Sequence, residues 1–136
     1  VKKEIDTSSI TECIKALLDK SATTPDTSEK VAGALMKFAD DSDSNQVSIA
    51  KEGGIKPLIS MLSGGSATAV GTEKAAGALF NLAINDDNRV SIAKEGGIKP
   101  LISMLSDGSA TAVGKEKAAW AAAHNTDLTL ETIDAV

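Results

Sequence analysis

Two stretches of this 136-residue chain are almost identical, and this internal repeat constrains the fold more than any other feature of the sequence. Residues 47–71 read VSIAKEGGIKPLISMLSGGSATAVG, and residues 90–114 read VSIAKEGGIKPLISMLSDGSATAVG. The copies lie 43 residues apart and differ only where Gly64 corresponds to Asp107. A repeat of this length is typical of solenoids, in which each unit packs only against its neighbours.

A weaker third copy precedes these two. Residues 29–35 read EKVAGAL and match EKAAGAL at residues 73–79, which is a shift of 44 residues. The same shift, without a gap, places Ile14, Leu17 and Leu18 on apolar residues of the second copy. About three stacked units are enough for a stable repeat protein. We therefore expect a single domain over residues 1–136, with units at about 10–46, 47–89 and 90–125 and with terminal segments at 1–9 and 126–136.

Each unit carries the signals of a short, a medium and a long helix. In the third copy, N-capping residues that begin at Asn85 precede the short helix, and the glycine pair at 96–97 ends it. Ile98, Leu101, Ile102 and Leu105 then have the spacing of one apolar helix face. No stretch alternates with the period of two that a strand requires, so the sequence predicts an all-α fold.

Composition and charge exclude several classes of function. Aromatic residues make up 2% of the chain and the net charge is −5, which argues against nucleic-acid binding and against an aromatic-lined cofactor pocket. No apolar run is long enough to span a membrane. Cys13 is the one cysteine, so no internal disulfide can form. Together with the absence of a secretory signal in the sequence, this predicts an intracellular location, cytoplasmic or in a reducing organelle.

Catalytic and metal-binding patterns are sparse. His124 and Cys13 are the only residues of their types and lie near opposite ends of the chain, so we expect no enzyme activity, no cofactor and no metal centre. The nearest approach to a metal site is an incomplete EF-hand pattern, in which glutamine replaces the glycine of the turn. We interpret its acidic residues as helix-capping residues, and a calcium-binding regulatory domain is the third functional alternative. The residues of that pattern are Asp41, Asp43, Asn45, Gln46 and Glu52.

The sequence resembles the armadillo repeat family. The similarity covers roughly residues 10–125 and rests on GGIKPLI at 96–102, KEKAA at 115–119 and ALFNLA at 78–83. It implies a right-handed α-solenoid of three-helix repeats whose third helices line a concave groove. Members of this family are mostly non-enzymatic scaffolds that bind extended peptides or helical segments of partner proteins.

Importin-like members of the family have a Trp and, four residues later, an Asn on the third helix to hold a peptide. No unit of this chain contains both residues: Asn81 in the second unit has no Trp, and Trp120 in the third unit has no Asn. Recognition of a nuclear localisation signal is therefore not expected. The partner-binding candidates that the resemblance implies at these positions are Asn81, Trp120, Lys37, His124 and Gly77.

The end of the chain allows two interpretations. The polar residues 125–127 are expected to break the last long helix, and an apolar-polar tail follows at 128–136. The tail either caps the last unit or docks on another chain. Accordingly, the leading functional hypothesis is a protein-interaction module that binds a partner through its concave face or its ends, and the alternative is a structural subunit with a fixed place in a larger assembly.

Overall fold

A computed structural model describes residues 5–19, 24–63 and 68–134, with side chains up to Ala123. This part of the chain contains eight α-helices and no strand, so the all-α prediction is confirmed. The helices are α1 (Ile10–Leu18), α2 (Pro25–Asp41), α3 (Asp43–Lys51), α4 (Ile55–Ser63), α5 (Ala69–Leu82), α6 (Asp86–Lys94), α7 (Ile98–Met104) and α8 (Ala112–Asp134).

The helices follow the repeated order that the sequence predicts. Helices α3, α4 and α5 form a three-helix series that ends in a long helix, and α6, α7 and α8 begin 43 residues after them in each case. The predicted distinction between a short first helix and a medium second helix is wrong, because α3 and α4 both contain 9 residues, whereas α6 contains 9 and α7 contains 7. Helices α1 and α2 correspond to the second and third members of this series. Among the described residues, the first unit therefore has no short first helix.

The glycine pair after each short helix has two distinct functions. The first glycine ends the helix in the left-handed region, with φ of 84° at Gly53 and 80° at Gly96. The second glycine allows a close approach, because a Cβ on Gly97 would lie 2.8 Å from Cγ2 of Ile92. The pair thus turns the chain sharply and lets the start of α7 lie close to Ile92 of α6.

The long helices α2, α5 and α8 lie side by side and form the centre of the stack. Leu35 and Leu79, at corresponding positions of α2 and α5, are fully buried between the units. Ala122 takes the same position in α8, where a smaller side chain fills the core. At this position α8 therefore buries less apolar surface than α2 and α5.

Hydrogen bonds from one unit to the next recur along the stack. Thr68, which caps α5, donates from Oγ1 to Oε2 of Glu29 on α2 at 3.1 Å. Thr111, just before α8, makes the same bond to Oε1 of Glu73 on α5 at 2.6 Å. These Thr–Glu bonds set the relative position of consecutive long helices.

The predicted apolar face of α7 is partly wrong. Leu101 is buried as expected, but Ile102 and Leu105 are exposed, and Met104 is buried in their place. The corresponding residue Ile59 of the second unit is buried. Periodicity identifies an apolar face but does not show which residues of that face another helix covers.

The ungapped alignment of the first unit is also wrong over α1. Helices α1 and α4 both contain nine residues and begin 45 residues apart, not 44. This register pairs Cys13 with Leu58, and both are fully buried, whereas Leu18 is exposed. The link between the two helices of the first unit absorbs the extra residue.

The expected break at residues 125–127 does not occur, because α8 continues to Asp134. Asn, Thr and Asp are weak helix formers, but each lacks the severe backbone penalty of proline. The side chains of the predicted tail lie outside the described residues, so neither its capping nor its docking interpretation is decided by contacts.

Candidate functional site

The candidate site is the surface formed by α2, α5 and α8, which we call the third-helix surface. It holds the positions that the family resemblance singles out. Lys37 and Trp120 are exposed there, with Trp120 54% accessible, whereas Gly77 is buried and Asn81 is 8% accessible. The side chain of His124 lies outside the described residues. The structure thus brings these positions onto neighbouring helices but leaves them unequally accessible.

Met36 of the first unit contacts both candidate residues of the second unit, Gly77 and Asn81. A Cβ on Gly77 would lie 2.5 Å from Sδ of Met36, so this side chain covers the glycine. The amide of Asn81 donates from Nδ2 to the backbone oxygen of Met36 at 2.9 Å. The amide nitrogen is therefore engaged in holding α5 against α2.

An aromatic pair stands at the corresponding place between α5 and α8. Phe80 corresponds to Met36, and Trp120 corresponds to Gly77. Their ring centroids are 6.4 Å apart with an interplanar angle of 68°, which is an edge-to-face arrangement. Nζ of Lys117 lies 4.7 Å from the centroid of Phe80, within the range of a cation–π interaction. The third-helix surface thus presents two rings and a cation close together.

A depression of about 600 Å³ lies around α2, at a different part of the third-helix surface from this pair. Lys30, Lys37 and Lys74 line it together with Glu29 and Asp41. Three lysines and two carboxylates line it, so the lining carries a formal charge of +1, although the whole chain carries a net charge of −5. Part of that positive charge is paired, because Nζ of Lys74 lies 3.8 Å from Oε2 of Glu73.

The acidic segment between α2 and α3 has a structural role. Ser42 caps α3 by accepting from the Asn45 backbone N–H at 3.0 Å, and the Asn45 amide donates to the backbone oxygen of Phe38 at 2.9 Å. Glu52, at the far end of α3, accepts a hydrogen bond from Thr11. Within the described ranges, no group of three or more His, Cys, Asp or Glu residues is placed to hold a metal ion.

Cys13 is buried in α1 and is poorly suited to nucleophilic chemistry. Burial raises the pKa of its thiol to about 11, and the nearby carboxylates of Asp6 and Glu12 act in the same direction. The thiol is therefore protonated at neutral pH. Since the thiolate is the reactive form, Cys13 is a component of the core.

Comparison with known proteins identifies the architecture. No protein-family model and no curated protein matches this sequence. Among solved structures, a designed armadillo repeat protein superimposes with a TM-score of 0.76 at 17% identity, over 87% of this chain and 47% of that protein. An engineered protein from the Northeast Structural Genomics Consortium gives 0.74 at 25% identity, over 85% and 44%.

The fold is that of an armadillo-type α-solenoid. The right-handed stack of helical repeats that the sequence predicts is confirmed. This chain spans less than half the length of either matching structure. Armadillo-type folds are typical of protein-binding scaffolds and are generally not enzymes. No helix among the described residues combines the length and the apolar character needed to cross a bilayer.

Sequence reasoning missed three residues of the armadillo-type surface: Met36, Phe80 and Lys117. The signal that could have found Met36 and Phe80 is their alignment in the 44-residue shift, since they occupy one repeated position. The contact of Met36 with Gly77 and Asn81 depends on how α5 lies across α2, which no single-helix pattern specifies. Lys117 gains its role only because Phe80 is beside it.

Proposed function

We propose that this chain is a non-catalytic protein-interaction module that binds a partner protein on its third-helix surface. The observation that carries the proposal is the edge-to-face pair of half-buried Phe80 and exposed Trp120, with Lys117 beside it. Tryptophan is among the residues that contribute most to binding energy at protein interfaces. In a chain with three aromatic residues, two of them meet on this surface.

The lysines of the third-helix surface indicate what kind of partner segment would bind. Lys30, Lys37 and Lys74 surround the depression at α2, and Lys117 lies above Phe80. A partner segment with acidic residues could pair with these lysines while an apolar residue packs on Trp120. We propose an extended peptide or a helix of that composition as the ligand, because such complementarity favours association and orients the partner.

The five candidate residues contribute unequally to this proposal. Trp120 and Lys37 offer accessible side chains, whereas Asn81 and Gly77 form the floor of the surface beneath Met36. Direct contact of a partner with Asn81 would require Met36 to move aside. His124, at the position of Lys37 in the third unit, remains a predicted contact.

Quantitative co-purification with mass spectrometry tests the proposal. Trp120→Ala removes the exposed ring and is compared with Val90→Ala, which removes an exposed apolar side chain from α6. We expect proteins retained by the wild-type chain and by Val90→Ala to be depleted with Trp120→Ala. Equal retention by all three chains would contradict binding on the third-helix surface, as would the absence of any specifically retained protein. Circular dichroism verifies that both variants fold.

A second candidate function is that of a subunit in a larger assembly, bound through the ends of the solenoid. The exposure of Ile102 on α7 and of Leu105 just after it favours this function, because the corresponding Ile59 is buried and Leu62 is partly buried in the preceding unit. Under this function, substitutions at Trp120 leave the assembly intact, whereas substitution of Ile102 disrupts it.

A further inference from the structure

The C-terminal end of the stack exposes one half of an interface that this chain already contains. Ile59 and Ile102 occupy the same position of the sequence IKPLISML, yet they are 7% and 50% accessible. Ile59 is covered by the next unit, since its Cδ1 would lie 3.0 Å from a Cβ on Gly97, the residue immediately before α7. Nothing among the described residues covers Ile102 and Leu105 in this way.

Within the described part of the chain, the recurring Thr–Glu hydrogen bond also has an unused acceptor position at the C-terminal end of the stack. Glu29 and Glu73 each accept from the threonine that precedes the next long helix. Glu116 is the third residue of this series, and its side chain is exposed on α8. The C-terminal end therefore presents an acceptor in addition to an apolar face.

The N-terminal end of the stack carries the matching donor. Thr24 caps α2 as Thr68 caps α5, but among the described residues no glutamate accepts a hydrogen bond from it. Its hydroxyl donates to Oγ1 of Thr27 at 2.9 Å instead, and the residue is exposed. One end of the chain thus has the glutamate of the repeated bond, and the other end has the threonine.

We propose that a second copy of this chain stacks head to tail on the first, with its α1 and α2 against α7 and α8. The incoming helices cover Ile102 and Leu105, and Thr24 of the incoming copy donates to Glu116. This inference rests on the second candidate function, binding through the ends. The contact joins unlike surfaces, so each added copy leaves a free end and the assembly grows with concentration.

The incoming unit differs from an internal one in two respects. It begins at α1 and brings no short first helix among its described residues, so it buries less surface than α6, α7 and α8 bury on the second unit. Ser9 also stands at the helix start where Gly54 and Gly97 stand in the other units. We therefore expect a reversible association that depends on protein concentration.

Sedimentation velocity over a range of concentrations tests the association. The wild-type chain is expected to shift from monomer to dimer and larger species, and Ile102→Lys is expected to remain monomeric. Ile84→Lys is the matched control, because Ile84 is 56% accessible and lies outside the proposed contact. A wild-type chain that is monomeric at every concentration overturns the proposal, as does equal loss of association in both variants.

Site-specific cross-linking tests the head-to-tail arrangement without relying on Ile102→Lys. A Thr24→Cys chain is mixed with a Glu116→Cys chain and treated with a short bismaleimide, with the unsubstituted chain as control because its Cys13 is buried. We expect cross-linked dimers in the mixture and few in either variant alone. Cross-linking within one variant alone indicates a symmetric dimer and overturns the arrangement. Neither result alters the comparison of Trp120→Ala with Val90→Ala, so the two proposals fail independently.

Discussion

The side-chain amide of Asn81 donates a 2.9 Å hydrogen bond to the backbone oxygen of Met36, from α5 to α2. The same methionine covers Gly77, one turn earlier on α5. A polar bond and a sulfur contact thus fix the lateral position of these two helices. The family resemblance makes Gly77 and Asn81 candidates for binding a partner, and the structure shows that both residues contact Met36 of the neighbouring unit.

Asn81→Ala is expected to destabilise the fold. The substitution removes a mostly buried hydrogen bond, which costs about 1–2 kcal/mol of unfolding free energy. Lys37→Ala is the matched control, because Lys37 occupies the corresponding position of α2 and is exposed, and it should change stability by less than about 0.5 kcal/mol. Urea unfolding followed by circular dichroism measures both. Equal stability of the two variants would show that the amide bond contributes nothing to the fold.

Gly33→Ala and Gly77→Ala are expected to differ although both glycines lie within long helices. Alanine is favoured over glycine in a helix by about 1 kcal/mol. At Gly33 the nearest atom to a new Cβ is Cδ of Lys74 at 3.8 Å, so the full gain is expected. At Gly77 the new Cβ displaces Met36, which offsets the gain. Thermal or urea unfolding checks this, and Gly77→Ala should recover its gain in a Met36→Ala background; a failure to recover it would rule out Met36 as the cause.

Ile59→Ala is expected to lower the free energy of unfolding much more than Ile102→Ala does. Truncation of the buried Ile59 leaves a cavity between units and is expected to cost about 2–4 kcal/mol. The same truncation at the exposed Ile102 should cost less than about 1 kcal/mol, measured at a protein concentration where the chain is monomeric. The midpoint of urea unfolding is the measurement. Similar losses at both positions would mean that Ile102 is covered in the monomer.

Alkaline pH is expected to destabilise the chain through Cys13. The unfolded thiol ionises near pH 9.0, while burial keeps the folded thiol protonated up to a pKa of about 11. Between these values the unfolded state binds fewer protons than the folded state, so unfolding free energy falls as pH rises. Stability curves from pH 8 upward, compared between the wild-type chain and Cys13→Ala, isolate this effect from the lysines. A wild-type curve parallel to that of Cys13→Ala would contradict it.

The repeat made the helical architecture predictable, because turn and capping signals occur at the same place in each copy. Asn85 caps α6 by accepting from the Asn88 backbone N–H at 3.0 Å, and the glycine at position 96 ends that helix with a positive φ. These are local signals, so the sequence alone contains them. The fold class followed from the repeat once the three helices of each unit were recognised.

Features that depend on a neighbouring unit were not predictable in the same way. Ile59 and Ile102 have identical surroundings in sequence, but Ile59 lies against Gly97 of the next unit and Ile102 has no such contact among the described residues. The engagement of Asn81 by Met36 likewise depends on the position of α2 beside α5. The continuation of α8 through residues 125–127 shows that three weak helix formers are not a sufficient stop signal.

The alanines of α8 have a consequence for how the molecule opens. Ala122 stands where Leu35 and Leu79 stand in the other long helices, so we expect the last two units to be coupled more weakly than the first two. In a linear array of nearest-neighbour contacts, cooperativity fails first at the weakest junction. Backbone amides of α7 and α8 should therefore exchange with solvent through openings that leave α2 and α5 folded. Unfolding is then expected to begin in the last unit.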